Sequence, residues 1–141
     1  MDSAIATRER RGAMAKVNGF MDLIGWQKSM DLVEEVYRVS ASFPADERFG
    51  LTAQVRRAAV SIPSNVAEGY GRSTKADYIR FIDIAKGSAN EVETQLRIAQ
   101  RLRFVKVQNS ERALAMAVEV QRILRGLGDG LRRSTRTSVN V

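Results

Sequence analysis

The chain of 141 residues contains no cysteine and no histidine. Without thiols it can form neither a disulfide framework nor a thiolate nucleophile, and without imidazole it can build neither a Ser-His-Asp nor a Cys-His relay. The same absences exclude zinc fingers and di-iron bundles of the Glu-x-x-His type. A large share of hydrolytic, redox and metal-dependent chemistry is therefore outside the reach of these residues.

Proline is also scarce, since only Pro44 and Pro63 interrupt the sequence. No run approaches the roughly 20 apolar residues of a membrane span. The charged N-terminal stretch is not followed by the apolar segment that a secretory signal requires. These patterns predict a cytoplasmic protein that does not associate with membranes.

Apolar residues recur every three to four positions over long stretches, with no sustained alternation that would predict strands. The spacing predicts four helices, over about residues 22–42, 51–68, 74–103 and 110–126 or beyond. Four helices with short connections pack best as an antiparallel up-down-up-down four-helix bundle, so an all-α fold is expected. The first and third helices carry apolar sectors too wide for a lone bundle, which predicts a homo-oligomer.

Pro63 falls inside the second predicted helix. A proline there removes one hydrogen bond and clashes with the carbonyl four residues earlier, so the helix is expected to break or to hold a kink. Ser61, Ser64 and Asn65 surround the proline, and their side chains could bond the freed backbone groups.

The charge is unbalanced, with 23 Lys and Arg residues against 16 Asp and Glu residues, a net charge of +7. Residues 1–19 and 129–141 are expected to be flexible basic tails on either side of a bundle over residues 20–128. Excess positive charge favours polyanionic partners, nucleic acid first. A charge of this size is also ordinary for a protein that merely stays in solution, so charge alone leaves both interpretations open.

One long motif and several shorter ones are typical of a single family. The long motif is Gly50-Leu51-Thr52-x-Gln54-x-Arg56-Arg57-Ala58-Ala59-Val60-Ser61-Ile62-Pro63-Ser64-Asn65-x-Ala67-Glu68-Gly69. The shorter ones are Trp26-Gln27-Lys28, Tyr37, Phe43-Pro44, Gly71-Arg72, Tyr78-Ile79-Arg80-Phe81, Ala85-x-Gly87-Ser88-x-x-Glu91 and Glu93-Thr94-Gln95-Leu96. From about residue 20 to 123, the chain resembles the bacterial four-helix-bundle family first noticed as open reading frames in intervening sequences of large-subunit ribosomal RNA genes. The accessory variability determinant of diversity-generating retroelements belongs to the same wider group.

The resemblance implies a four-helix bundle that assembles as a ring-shaped homopentamer, without catalytic activity and without a cofactor. The retroelement relatives bind nucleic acid and a reverse transcriptase, whereas the intervening-sequence members have no settled function. We therefore expect a non-enzymatic oligomer that binds nucleic acid, structured RNA foremost, with a protein partner as a further possibility. The competing expectation is a protein–protein interaction scaffold whose basic surface contacts an acidic protein and no nucleic acid.

Basic side chains on and near the second and third helices are the candidate phosphate contacts. They are Arg56, Arg57, Arg72, Lys75, Lys86, Arg97, Arg101, Arg103 and Lys106. The purest run lies at the end of the third helix, where cations also complement the helix dipole. The aromatic residues fall mostly on apolar stripes, so no stacking platform is expected and binding should proceed through phosphates, with strong salt dependence.

Polar residues beside the apolar stripes of helices two and three predict a buried hydrogen-bond network. They are Ser61, Asn65, Glu68, Ser88, Glu91 and Gln95. Such networks fix helix register, and the alternative interpretation is a functional polar site. Glu68 or Glu91 is expected to pair with Arg57 or Arg56. The acidic pairs at residues 34–35 and 91–93 point to different helix faces, so no metal site is expected.

Overall fold

The computed structural model describes residues 17–139, and the side chains of residues 17–134. Its four helices are α1 (Ile24–Ser40), α2 (Leu51–Tyr70), α3 (Lys75–Arg101) and α4 (Val107–Val139). Single 3-10 turns lie at Phe20–Asp22, before α1, and at Ala45–Glu47, between α1 and α2. The described residues contain no strand, so the predicted all-α class is confirmed.

Each helix packs on the helices next to it in the chain, and α4 closes the bundle against α1. Within the described residues, no Cα atom of α1 comes within 8 Å of α3, and α2 and α4 are separated likewise. Contacts between α3 and α4 run in opposite directions along the two helices, from Asp83 with Arg132 to Gln100 with Ser110. The molecule is therefore the antiparallel four-helix bundle that the periodicity predicts.

The interior combines a few large aliphatic side chains with many alanines. Leu32, Ile62, Ile82, Leu96 and Leu124 are fully buried, and each contributes about 1.5–3 kcal/mol to the free energy of unfolding. Seven buried alanines let the helix backbones come close together; they are Ala58, Ala59, Ala85, Ala89, Ala99, Ala113 and Ala117.

Helix α2 passes through Pro63 without a break. The hydroxyl of Ser64 donates to the carbonyl oxygen of Val60 at 2.8 Å, and the amide of Asn65 donates to the carbonyl oxygen of Ser61 at 2.8 Å. These side chains add bonds to the turn in which the proline removes one. Of the two expected outcomes, a break or a kink, the break is therefore absent, and α2 packs against both α1 and α3.

The last helix is longer than the sequence pattern predicts. It begins at Val107 and continues past residue 128, where the tail was expected to start. Leu131 packs against the core, and Arg132 hydrogen-bonds to Asp83 of α3 at 2.7 Å. The predicted boundary is thus wrong, since the bundle includes these residues. Residues 1–16 and 140–141 of the two predicted tails, and the side chains of 135–139, lie outside the described residues.

Candidate nucleic-acid interface

The connections α1–α2 and α3–α4 meet at one end of the bundle. Phe43, buried after α1, contacts Phe104, which lies between α3 and α4, with 6.2 Å between the ring centroids. We call residues 41–57 and 101–112 the basic end. They hold seven Lys and Arg residues against three Asp and Glu residues.

Among the described residues, six cations at the basic end have no acidic partner. In the part of the chain that the structure describes, no carboxylate oxygen lies within 4.0 Å of their side chains, whereas Arg112 contacts Glu35 at 3.8 Å. The six, which we call the basic cluster, are Arg48, Arg56, Arg57, Arg101, Arg103 and Lys106. Because no carboxylate neutralises them, their charge is available to an external anion.

Arg56 is held in place by neutral groups. Its Nε donates to Ser40 Oγ at 2.8 Å, and its guanidinium lies 4.5 Å from the ring centroid of Tyr37. Arg48 and Arg57 line the same open groove. Three guanidiniums therefore border one surface groove, and one of them is oriented by a hydroxyl and a ring rather than by a carboxylate.

Arg103 adopts a left-handed backbone conformation, with φ of 61°, at the C-terminal end of α3. The N–H of Phe104 donates to the carbonyl of Ala99 at 2.9 Å, and the N–H of Arg103 donates to that of Gln100 at 3.1 Å. This pair of bonds is a Schellman motif, whose left-handed position is usually glycine. An arginine there costs about 1 kcal/mol in backbone strain. The chain thus carries a cation at the basic end where a glycine would be more stable.

The other predicted phosphate contacts are committed to groups of the same chain. Arg72 binds Glu68 at 2.7 Å, Lys86 lies 3.9 Å from Asp83, and Arg97 binds Glu93 at 2.9 Å. Lys75 hydrogen-bonds to Ser134 of α4. Of the nine predicted cations, the structure gathers Arg56, Arg57, Arg101, Arg103 and Lys106 at the basic end, and adds Arg48, which the sequence analysis did not select.

Arg97 lies among basic residues in the sequence, but Glu93 pairs with it. The Oε1 of Glu93 accepts a hydrogen bond from the amide of Gln121 at 2.8 Å, and its Oε2 accepts one from Arg97 at 2.9 Å. The Gln121 bond, followed by Arg97, lowers the pKa of the Glu93 carboxyl. The carboxylate connects α3 to α4, and Arg97 takes part in that connection.

Three residues of the predicted polar network do come together between α2 and α3. The Oγ atoms of Ser61 and Ser88 are 2.9 Å apart, and the amide of Asn65 donates to Ser61 Oγ at 2.9 Å. Ser88 is buried. This arrangement links the two helices beside Pro63, in the manner expected of a network that fixes register.

The acidic members of that set do not join it. Glu68 is exposed and pairs with Arg72, so its predicted pairing with Arg56 or Arg57 is wrong. Glu91 is exposed and makes no ion pair in the described structure. Gln95 is 9% exposed, and its Oε1 has no hydrogen-bond partner among the residues that the structure describes. The network is therefore smaller than predicted, and it is neutral.

Phe49 is an exception to the expected placement of aromatic residues on apolar stripes. This side chain is 84% exposed, in the connection that leads into α2 at the basic end. The guanidinium of Arg48 lies 4.9 Å from its ring centroid. A local signal was present in the sequence: Phe49 precedes a glycine and follows the 3-10 turn after Pro44, outside every helical stripe.

Acidic residues line an open groove between α1 and α4, and two of them contact cations. Buried Glu35 accepts hydrogen bonds from Arg38 and contacts Arg112, and Glu119 lies 3.7 Å from Lys28. The hydrogen bond to Glu35 raises the pKa of Arg38. Among the described residues no group of three acidic side chains could hold a metal ion. Nor does any described helix combine the length and hydropathy needed to cross a membrane.

Two apolar faces remain open on the bundle. The first is a groove between α1 and α2, lined by Trp26, Met30, Val33, Val60, Pro63, Ser64 and Ala67. The second follows the outer side of α3, where Ile84, Ile98 and Leu102 are 40%, 41% and 57% exposed. These faces account for the apolar sectors that are too wide for a single bundle.

Comparison with known proteins finds a family that matches the sequence and a solved structure that matches the fold. Residues 21–126 match the family model described as 23S rRNA-intervening sequence protein. No curated protein matches the chain. The bundle superposes with a TM-score of 0.67 on a crystal structure from Bacteroides thetaiotaomicron, a protein of unknown function from the S23 ribosomal protein family. The two are 22% identical, and the match covers 74% of this chain and 97% of that one.

Proposed function

Because the chain belongs to the 23S rRNA-intervening sequence protein family, we propose that it is a non-enzymatic helical bundle that binds nucleic acid, structured RNA foremost, through its basic end. The observation that carries the proposal is the basic cluster, six cations with no carboxylate within 4.0 Å in the described structure. Unpaired cations gathered at one end are suited to phosphates, which bind by charge and shape rather than by sequence.

The strained conformation of Arg103 supports the same assignment. A residue held in a sparsely populated region of backbone space is more frequent at functional sites than elsewhere. Here the strained residue is a cation, and it lies within the basic cluster. Stability alone would favour glycine at this position, so the arginine is accounted for by what it binds.

The oligomeric part of the proposal is a closed ring of identical chains, with five subunits as the expected number. Its support is the presence of two different apolar faces, one between α1 and α2 and one on α3. When the face of one subunit meets a different face of the next, the contact is heterologous, and such contacts form a ring when the rotation between neighbouring subunits closes. A ring repeats the basic end around one axis, which multiplies a modest charge into a stronger field.

Nucleic-acid binding is tested by fluorescence anisotropy with a labelled RNA hairpin at several salt concentrations. With about six phosphate contacts, affinity should fall about a thousandfold between about 50 and 200 mM salt. The double variant R101E/K106E should bind at least tenfold more weakly, and its salt slope should be shallower by about two. The matched control is R122E/R125E, which changes the net charge equally on exposed arginines of α4 outside the basic end.

Two results would overturn the proposal. If both double variants lose affinity equally, total charge rather than the basic end governs binding. If the unaltered protein binds neither RNA nor DNA in dilute buffer, nucleic-acid binding is excluded, and an acidic protein becomes the expected partner of the basic end.

The ring is tested by multi-angle light scattering of the unaltered protein and of Val60→Lys. Val60 is 41% exposed on the α1–α2 groove, so the bundle should tolerate a lysine there. We expect a mass of five chains for the unaltered protein and a smaller mass for V60K, with unchanged helical circular dichroism. A single-chain mass for the unaltered protein at micromolar concentration would contradict the ring.

A further inference from the structure

Phe49 is the most exposed of the large hydrophobic side chains that the structure describes. It lines neither the apolar groove between α1 and α2 nor the arginine-bordered groove beside Tyr37. The two apolar faces that would join subunits therefore do not account for it. Its neighbour in the chain, Arg48, belongs to the basic cluster.

The backbone around Phe49 is fixed by hydrogen bonds, although the ring is exposed to solvent. Glu47 Oε1 accepts a hydrogen bond from the N–H of Leu51 at 3.0 Å, which caps the start of α2. The N–H of Gly50 donates to the carbonyl of Glu47 at 2.9 Å. A Cβ at Gly50 would lie 2.7 Å from Glu47 Oε1, so the glycine makes room for this cap. An anchored loop thus displays the ring, which reduces the ordering entropy lost when a ligand binds.

The surroundings of the ring match one kind of ligand. Proteins that bind single-stranded nucleic acid combine cations along the backbone with aromatic rings on which bases stack. Here the guanidinium of Arg48 lies 4.9 Å from the Phe49 centroid, and the basic cluster provides further cations at the same end. Structured RNA offers unpaired bases in its loops and bulges, whereas a perfect duplex keeps its bases stacked inside.

We propose that Phe49 is a base-stacking residue: an unpaired base of the bound RNA stacks on its ring while the basic cluster holds the flanking phosphates. This inference rests on the proposed function, because it names the part of an RNA that the basic end selects. Stacking on Phe49 would make the protein prefer RNA with unpaired bases over fully paired RNA, without requiring a particular sequence.

The test compares a short single-stranded RNA with a duplex of equal length, both by fluorescence anisotropy. Phe49→Leu keeps an apolar side chain but removes the aromatic ring, and Phe49→Trp keeps an aromatic face. We expect F49L to bind the single strand about five- to a hundredfold more weakly and the duplex unchanged, with F49W close to the unaltered protein. The control is Ile24→Ala, which shortens an exposed apolar side chain at the start of α1.

A direct readout uses the double variant W26F/F49W, in which the only indole is at position 49. Its fluorescence should be quenched by single-stranded RNA and not by duplex. If the unaltered protein binds both RNAs but F49L binds the single strand as tightly as before, the stacking role is overturned while the proposed function stands. If no nucleic acid binds at all, the proposed function itself fails. If F49L alters the light-scattering mass, Phe49 is a subunit contact and the inference is wrong.

Discussion

The hydroxyl oxygens of Ser61 on α2 and Ser88 on α3 lie 2.9 Å apart, in the seam between the two helices. Asn65 donates to the first of them, so three neutral side chains satisfy one another beside Pro63. The seam is therefore held by polar contacts at the level where the proline removes a backbone bond. This geometry favours a structural role for the three residues over ligand binding.

Removing both serines should cost no more stability than removing one. Ser61→Ala leaves the buried Ser88 hydroxyl without its partner, and we expect a loss of about 1 kcal/mol in the free energy of unfolding, whereas S61A/S88A should cost no more than the single change. Urea unfolding measures the free energy of unfolding of both variants, and their affinity for RNA should be unchanged. A loss of RNA affinity with unchanged stability would instead favour a functional polar site.

Glycine substitutions at two arginines near the end of α3 should change the free energy of unfolding in opposite directions. Arg103→Gly relieves a positive φ and should raise the free energy of unfolding by about 1 kcal/mol, whereas Arg101→Gly weakens the last turn of α3 and should lower it by up to about 1 kcal/mol. Both remove a cation, so both should weaken RNA binding. Thermal melts and anisotropy on the same samples give the two readouts. Equal effects on stability would contradict the strain at Arg103.

Acid should weaken the connection that Glu93 makes between α3 and α4. Its pKa is lowered in the folded protein by Gln121 and Arg97, so the unfolded chain binds this proton more readily. The resulting stability is fully present above the ordinary glutamate pKa of about 4.3 and is lost as the pH falls through the lowered value.

Glu93→Gln should remove this part of the pH dependence. The control is Glu91→Gln, an exposed glutamate of the same helix that makes no ion pair in the described structure. Urea unfolding between about pH 6 and pH 3 should show a flatter curve for E93Q than for E91Q. Superimposable curves for the two variants would contradict the role given to Glu93.

Alanine should destabilise the protein at Gly69 and stabilise it at Gly87. A Cβ at Gly69 would lie 2.8 Å from the Cβ of Phe81, so Gly69→Ala should force α2 and α3 apart and cost about 1–3 kcal/mol. Gly87 has no atom within 4 Å of that position, and Gly87→Ala should stabilise α3 by about 0.5–1 kcal/mol. Thermal unfolding of the two variants checks the contrast. A harmless G69A would show that the helices are not in close contact there.

The sequence predicts the helices well because apolar spacing is a local signal. The apolar residues that recur every three to four positions around Leu32, Ile62 and Leu96 lie on the helix faces that the structure buries. The end of α4 was missed because Gly126, Gly128 and Gly130 have a low helix propensity. Packing of Leu131 and the contact of Arg132 with Asp83 hold that stretch in the helix, and neither is visible in local spacing.

The site was harder to predict, because pairing between side chains depends on three-dimensional neighbours. Arg97 and Arg101 look equivalent in the sequence, yet Arg97 is bound by Glu93 one helical turn away, and Arg101 has no acidic partner in the described structure. The sequence places Phe49 outside every helical stripe, but it does not state whether a loop aromatic turns inward like Phe43 or outward, and only the structure shows that this ring is exposed.

The chain enters and leaves the bundle far from the basic end. Tyr70, at the end of α2, donates to the carbonyl of Val17 at 3.2 Å, and Lys75, at the start of α3, bonds to Ser134. Thirteen residues of α2, 58–70, separate that level from the basic end, a distance of about 20 Å. A fluorophore or affinity tag attached at residue 17 or 134 therefore lies on the side of the bundle opposite the basic end, and surface immobilisation through it should leave the proposed RNA-binding end exposed to solvent.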